Sequence, residues 1–390
     1  MKIVIATSRP FHLLHLGREL AALGHQVTVF GYMPEFNLRR YRPGDVEYRD
    51  LFWRLAPDSA LALQRWSLAA QRVATFRLFS RLDAYVGEHL PECDVFIGLS
   101  GAIVNAFTSA KQKHQALTII DRGLSHVLTQ LEKQADKQAA PWQSDYVSRE
   151  LAGYELADYI AAPSIYARDS FVSQGVPGNK VFLNQYGVDL KRFTSGKASR
   201  ESENQIPETE ISENHISETP INALFVGNWS YRKGCDLLSA ALARNHDLHL
   251  THIGMQGDCP FPDSENFKSL GRIANEQLAA YYRQYELFIF LSRDDGFGMV
   301  LLEAMACGLA CICSSSCGGP DIKSVVGNQD SVRLVEAENA EAVDSAIDYY
   351  RRRRHMASMR ANRDEITAFF SWEQYARRYD AFLRGKIGMS

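Results

Sequence analysis

The sequence predicts an α/β protein built from two doubly wound domains with parallel sheets. Three observations carry that expectation. At 390 residues the chain is longer than one ordinary domain of about 150 residues. Short apolar runs rich in β-branched and aromatic residues alternate with longer stretches of helical periodicity. The turns at the carboxyl ends of those runs are polar and glycine-containing, which is where open parallel sheets place their ligands.

Composition fits a globular chain that can bury two cores, with 46% hydrophobic and 23% charged residues. No apolar run approaches the roughly 18 to 20 residues of a membrane span, and the opening MKIVIATS lacks a signal-peptide layout. A cytoplasmic location is therefore expected. Net charge is −3, with a small positive excess before Thr194 and an acidic stretch after it. That excess is too weak for a nucleic-acid partner but compatible with an anionic acceptor or peripheral contact at the inner face of a membrane. Seven cysteines, an odd number, suit a reducing compartment. Cys307, Cys311, Cys313 and Cys317 crowd together without a Cys-x-x-Cys pair, and Cys311 and Cys313 share one face of an apolar run. They read as small hydrophobes, and no metal is expected.

In chain order, Ile3 to Thr7 is a first strand. A polar turn follows, Ser8-Arg9-Pro10-Phe11-His12, then a helix with Leu13, Leu16, Leu20 and Leu23 on one face and a stop at Gly24. Gln26 to Phe30 is the next strand. The first turn has no G-x-G-x-x-G, which argues against a dinucleotide dehydrogenase. Residues 61–86 form a long helical stretch interleaving leucine and phenylalanine with Arg65, Arg72, Arg77 and Arg81. It packs on its own sheet with the arginines wet, or lies on an anionic membrane. Strands follow at Asp94 to Leu99 and Ala116 to Ile120, the latter ending in Asp121-Arg122-Gly123-Leu124-Ser125-His126. Another is read at Asp158 to Ser164. Thr194 to Thr219 is polar and acidic and cannot bury enough surface to order itself, so a flexible interdomain insertion is expected.

A second strand series begins at Ile221 to Val226. The next turn, Gly227-Asn228-Trp229-Ser230-Tyr231-Arg232-Lys233-Gly234, puts two cations and glycines between a strand and a helix, the makings of a diphosphate cradle. Leu248 to Ile253 runs into Gly254, and Leu270-Gly271-Arg272-Ile273 precedes a helix from Asn275 to Tyr285. The densest unit is Glu286 to Asp321: a buried strand at Leu287 to Leu291, the turn Ser292 to Asp295, Gly296-Phe297-Gly298, a helix to Gly308, and a strand at Leu309 to Cys313. Asp295 and Glu303, eight positions apart, can face one cleft. Two carboxylates beside glycines suit a ligand with many hydroxyls and an anionic group.

The run D-G-F-G-M-V-L-L-E-A-M-A-C-G from Asp295 to Gly308 resembles the E-G-F-G-x-x-x-x-E-A-M-A-C-G region of family 4 of the retaining GT-B glycosyltransferases, with Asp295 in place of the first Glu. Lys233-Gly234 resembles the end of that family's G-R-x-x-x-x-K-G, with Asn228 where its Arg stands and Arg232 as a substitute charge. Gly187, Val188, Asp189 and Phe193 resemble its N-G-V-D-x-x-x-F segment, and Gly318-Gly319-Pro320-Asp321 its G-x-P-E turn. The resemblance covers nearly the whole chain, strongly after Ile221.

It implies the GT-B fold, two Rossmann-like domains facing a central cleft. The implied division is an acceptor domain at 1–193, an acidic linker at 194–220, a nucleotide-sugar domain at 221–370, and a C-terminal helix at 371–390 crossing back to the first domain. It implies a retaining transferase that moves a sugar from a UDP- or GDP-sugar to a hydroxyl of a glycan or lipid-linked acceptor in envelope polysaccharide synthesis, with no cofactor and no metal. Lys233 and Arg232 would stabilise the departing diphosphate, Asp295 would hold sugar hydroxyls, Glu303 would hold the ribose, and His126 would reach the reacting centre. Gly227, Asn228, Gly254, Arg272, Ile273, Gly296, Phe297 and Gly298 would complete the donor site. Arg9, His12, Asp121 and Arg122 would line the acceptor side. Arg9 and His12 read equally well as solvated turn residues, and His126 as a helix cap. Competing readings are a GT-B-fold nucleotide-sugar epimerase or hydrolase, and a non-catalytic nucleotide-sugar-binding protein.

Overall fold

The computed structural model describes residues 1–8, 12–34, 45–55, 68–133, 141–195, 219–327, 329–361 and 363–388. Arg9, the start of the predicted 61–86 helix at 61–67, and residues 196–218 of the predicted linker lie outside the described residues.

Two parallel sheets organise the chain. The first contains β1 (Lys2–Thr7), β2 (Gln26–Gly31), β3 (Glu47–Asp50), β4 (Val95–Leu99), β5 (Leu117–Asp121), β6 (Tyr159–Ala162) and β7 (Val181–Leu183), in the order β3-β2-β1-β4-β5-β6-β7. The second contains β8 (Ile221–Val226), β9 (Leu248–Ile253), β10 (Phe267–Ser269), β11 (Leu287–Phe290), β12 (Ala310–Ser314) and β13 (Val332–Val335), in the order β10-β9-β8-β11-β12-β13. Every pairing in both sheets is parallel. Both sheets reverse winding direction once, between β1 and β4 and between β8 and β11. A crevice opens at such a reversal because the helices on its two sides leave toward opposite faces. The α/β, doubly wound expectation holds in both halves.

The central strands are apolar without alternation because helices cover both faces. β11 is buried throughout as LFIF, and β12 as ACICS. All seven cysteines are free and buried, and among the described residues no group of three or more His, Cys, Asp or Glu could hold a metal ion. Within the same residues no helix is long and apolar enough to cross a membrane. The described part of the basic helix spans Leu68–Glu88; Leu78, Leu82 and Val86 are buried while Arg77 and Arg81 are exposed.

The helix Trp372–Ile387 packs on the first domain. Its buried residues, Trp372, Tyr375, Ala376, Tyr379 and Leu383, form one stripe at helical spacing. Ser371 caps it, accepting from the Gln374 amide at 3.1 Å. Trp372 stacks on His15 with ring centres 4.4 Å apart, and Arg378 donates to the Gln185 carbonyl at 2.7 Å and to Asn184 Oδ1 at 2.8 Å. A Cβ on Gly187 would lie 2.5 Å from the Trp372 backbone nitrogen, so a glycine lets this helix cross the end of the first domain.

Candidate functional site

The site grows from the two strand ends that flank the second sheet's reversal. After β8 the chain turns through a short 3-10 segment, Tyr231–Lys233, into the helix Cys235–Arg244. Gly234 makes the turn possible: its φ is +70°, and a Cβ there would lie 2.0 Å from the Leu291 carbonyl oxygen. The tight approach aims the preceding cations at the end of β11. Lys233 Nζ pairs with Asp295 Oδ2 and sits 5.0 Å from the centre of the Phe290 ring. Arg232 Nη1 donates to the Asp294 carbonyl at 2.6 Å. Asn228 is exposed, and the two cations flanking the acidic turn come from Arg232 and Lys233.

After β11 the Asp294–Gly298 turn enters the helix Met299–Ala306. Asp295 Oδ1 accepts from the amides of Phe297 at 3.2 Å and Gly298 at 2.9 Å, so the same carboxylate that holds Lys233 closes the turn that leads into the helix. Burial alone would raise the Asp295 carboxyl; Lys233, then Arg232 and the Phe297 amide, outweigh it and hold the group below its ordinary range. Phe297 is buried, its ring 5.9 Å from Tyr186, and serves as packing at the domain seam. One turn into the helix, Glu303 is 8% exposed and accepts from the Tyr282 hydroxyl at 3.0 Å. Burial pushes its carboxyl up to about 7, while the Tyr282 hydrogen bond and Arg192 pull the other way. The two carboxyls are therefore shifted in opposite directions.

On the outer side of β8 the strand ends are stacked by glycines. Gly254 has φ +153°, and a Cβ would lie 1.9 Å from the Gly227 carbonyl oxygen; its amide donates to the Gly271 carbonyl at 2.9 Å. His252 Nε2 lies 2.9 Å from that Gly227 oxygen. Arg272 and Ile273 follow at the same edge, exposed and half-buried.

Across the seam, the first domain grips the acidic turn. Ser125 and Tyr166 hydroxyls donate to Asp294 Oδ1 at 2.6 and 2.9 Å, and the Ser164 hydroxyl donates to the Gly296 carbonyl at 2.5 Å. A Cβ on Gly296 would lie 2.0 Å from the Gly123 carbonyl oxygen. Asp321 accepts from the Ile165 amide at 3.1 and 3.0 Å and from Gln185 Nε2 at 2.9 Å; burial raises its carboxyl to about 6 against those bonds.

His12 and Asp121, distant in sequence, are brought together: His12 Nε2 and Asp121 Oδ1 are 2.6 Å apart and both side chains are buried. Tyr186 and Tyr375 hydroxyls approach this pair at 3.5 Å each. Arg122 and His126 are placed elsewhere. Arg122 points into the first domain, donating to Glu150 at 2.6 Å, Tyr146 at 3.2 Å, Gln130 at 3.0 Å and the Ser125 carbonyl at 3.1 Å. His126 is the cap of the helix Val127–Glu132, its Nδ1 accepting from the Leu128 amide at 3.2 Å, and it packs on Tyr154 and Phe171. Burial, with Arg122 nearby, lowers it to about 4. The helix-cap alternative describes what this side chain does here. Asp294, Tyr166, Ser125 and Tyr282 were not singled out from sequence; their partners lie in the other domain or on a neighbouring helix, and no local spacing points to them.

Residues 207–365 match the family described as Glycosyl transferases group 1. Over 252 residues the chain is 26% identical to a GDP-mannose-dependent alpha-(1-6)-phosphatidylinositol monomannoside mannosyltransferase of Mycobacterium tuberculosis, covering 58% of this chain and 62% of that one. It is also 26% identical, over 209 residues, to an uncharacterized 41.2 kDa protein in the cps region of Klebsiella pneumoniae, covering 51% and 55%. The chain thus spans little more than half the length of these curated relatives. Among solved structures, a sucrose-phosphate synthase from Thermosynechococcus elongatus superposes with a TM-score of 0.67 over 100% of both chains at 19% identity. An Anabaena protein in complex with UDP and glucose does so with 0.62 over 99% of this chain and 100% of that one at 14% identity. The two-domain architecture is that of the GT-B fold.

Proposed function

We propose that the chain transfers a sugar from a nucleotide-diphosphate sugar to a hydroxyl of a glycan or lipid-linked acceptor, with retention of anomeric configuration, on the match of residues 207–365 to the Glycosyl transferases group 1 family and the GT-B architecture. The observation that carries the reading is the convergence of Lys233, Arg232 and the Met299–Ala306 helix N-terminus on one turn at the β8/β11 reversal. Negative charge develops on the departing diphosphate, and fixed cations aimed there lower the barrier without reorganising. In the reading, Lys233 and Arg232 take that charge, Asp295 takes sugar hydroxyls, and Glu303 takes the ribose. The glycine-lined ends of β8 and β9 give the base a backbone surface. No metal is needed where two cations do that work. His12 and Asp121, under Tyr186, stand on the acceptor side of the cleft in this reading.

GDP-mannose is named as donor for the mycobacterial relative, and a capsule region for the Klebsiella one. They favour GDP-mannose as a first donor to try and a cell-envelope glycan or glycolipid as acceptor, made at the cytoplasmic side of the membrane. Lys233→Ala and Glu303→Ala test the assignment: the first should abolish most turnover and the second should weaken nucleotide binding. Wild-type turnover in the first, or unchanged nucleotide affinity in the second, would remove the corresponding role.

A further inference from the structure

We propose that the Asp295 carboxylate is the resident occupant of the diphosphate seat, holding the seat's cation and amides until a donor displaces it and retaking them as the product nucleotide leaves. The inference rests on the reading of this turn as a nucleotide-diphosphate site. An anion site of this kind has two components, a fixed cation and free backbone N–H groups in the turn that leads into a helix. Here one side chain satisfies both: Oδ2 pairs with Lys233 Nζ, and Oδ1 accepts from the Phe297 and Gly298 amides at 3.2 and 2.9 Å.

Residue type explains why. Short Asp side chains fold back onto the amides two and three residues ahead, and the longer Glu does so poorly. An Asp at this position therefore folds back onto its own turn, where a Glu would extend into the cleft. The Lys233 and Asp295 side chains remain 14% and 16% exposed, so an entering anion can reach the pair. A diphosphate carries more charge than a carboxylate and offers more acceptor oxygens, so it wins the cation when bound. Displacing Asp295 subtracts from its affinity, and the returning carboxylate competes for the seat as the product departs.

The test is titration calorimetry of UDP, GDP and inorganic pyrophosphate against the full chain, comparing wild type with Asp295→Asn and Asp295→Ser. Both variants keep an oxygen that can accept from the turn amides and remove the charge. Each should bind the nucleoside diphosphate that the wild type prefers roughly two- to fivefold more tightly, the worth of one partly exposed ion pair. The gain should vanish when Lys233→Ala is added. Unchanged or weaker binding in both variants would overturn the resident-carboxylate role and leave the donor seat standing. Absence of nucleoside diphosphate binding in every protein would overturn the seat and this role together.

Discussion

Asp295 and Glu303 illustrate how position decides the state of like groups. Asp295 is held ionised because a lysine and two amides converge on it; Glu303 has a tyrosine hydroxyl and burial, and its carboxyl rises to about 7. The folded value lies above the ordinary 4.5, so between those values the native chain keeps a proton that the unfolded chain has lost. Glu303's contribution to stability therefore falls as pH rises through that window and levels off above about 7. Urea unfolding of wild type and Glu303→Gln should show the stability difference between them moving against the wild type from pH 5 to 7, and a pH-independent difference would refute the shift. Glu303→Ala should weaken nucleoside diphosphate binding about 10- to 100-fold, the value of hydrogen bonds to a charged group. Lys233→Ala should cut turnover by about 100- to 1,000-fold, as loss of one preorganised charge-stabilising group does, with the protein still folded by circular dichroism.

The strand-to-helix turns are the elements that make these side chains converge, and their glycines are structural demands. Gly234→Ala puts a methyl group 2.0 Å from the Leu291 carbonyl oxygen at a φ of +70°. Overpacking of that kind costs about 1 to 3 kcal/mol, and the shift it forces moves Lys233 from the β11 end. The variant should melt several degrees lower and lose turnover together; retention of both would mean that the turn is not fixed by this approach. Such elements were legible from sequence because apolar runs, glycines and cations follow each other in one stretch. Arg122 and His126 were harder to place, although they too follow a strand's carboxyl end. What turns Arg122 inward is Glu150 and Tyr146 on the helix Pro141–Leu156, and what seats His126 is the helix it caps and Phe171 beyond it. Contacts between distant segments leave no spacing signal.

At the scale of the molecule, two parallel sheets meet with the acidic turn between them, and the C-terminal helix straps the second domain's end to the first. The doubly wound pattern was readable from periodicity and the resemblance. The seam was not, since the hydroxyls and amides that Asp294 and Asp321 accept from belong to segments distant in sequence. The closed arrangement depends on buried carboxylates from one domain accepting hydroxyl and amide hydrogens from the other. Asp294→Ala strands the Ser125 and Tyr166 hydroxyls, at about 1 to 3 kcal/mol. Solution scattering should then show a larger radius of gyration than the wild type; an identical profile would mean that the seam does not set the domain arrangement.

The central claim is sugar transfer, and nucleotide release tests it most directly. UDP-, GDP- and ADP-sugars are each incubated with the full chain, with and without a mixed glycan and lipid-acceptor extract. The account predicts release from one donor, dependent on acceptor and lost in Lys233→Ala. Release that ignores the acceptor would point to an epimerase or hydrolase, and tight donor binding with no release under any condition would contradict catalysis altogether.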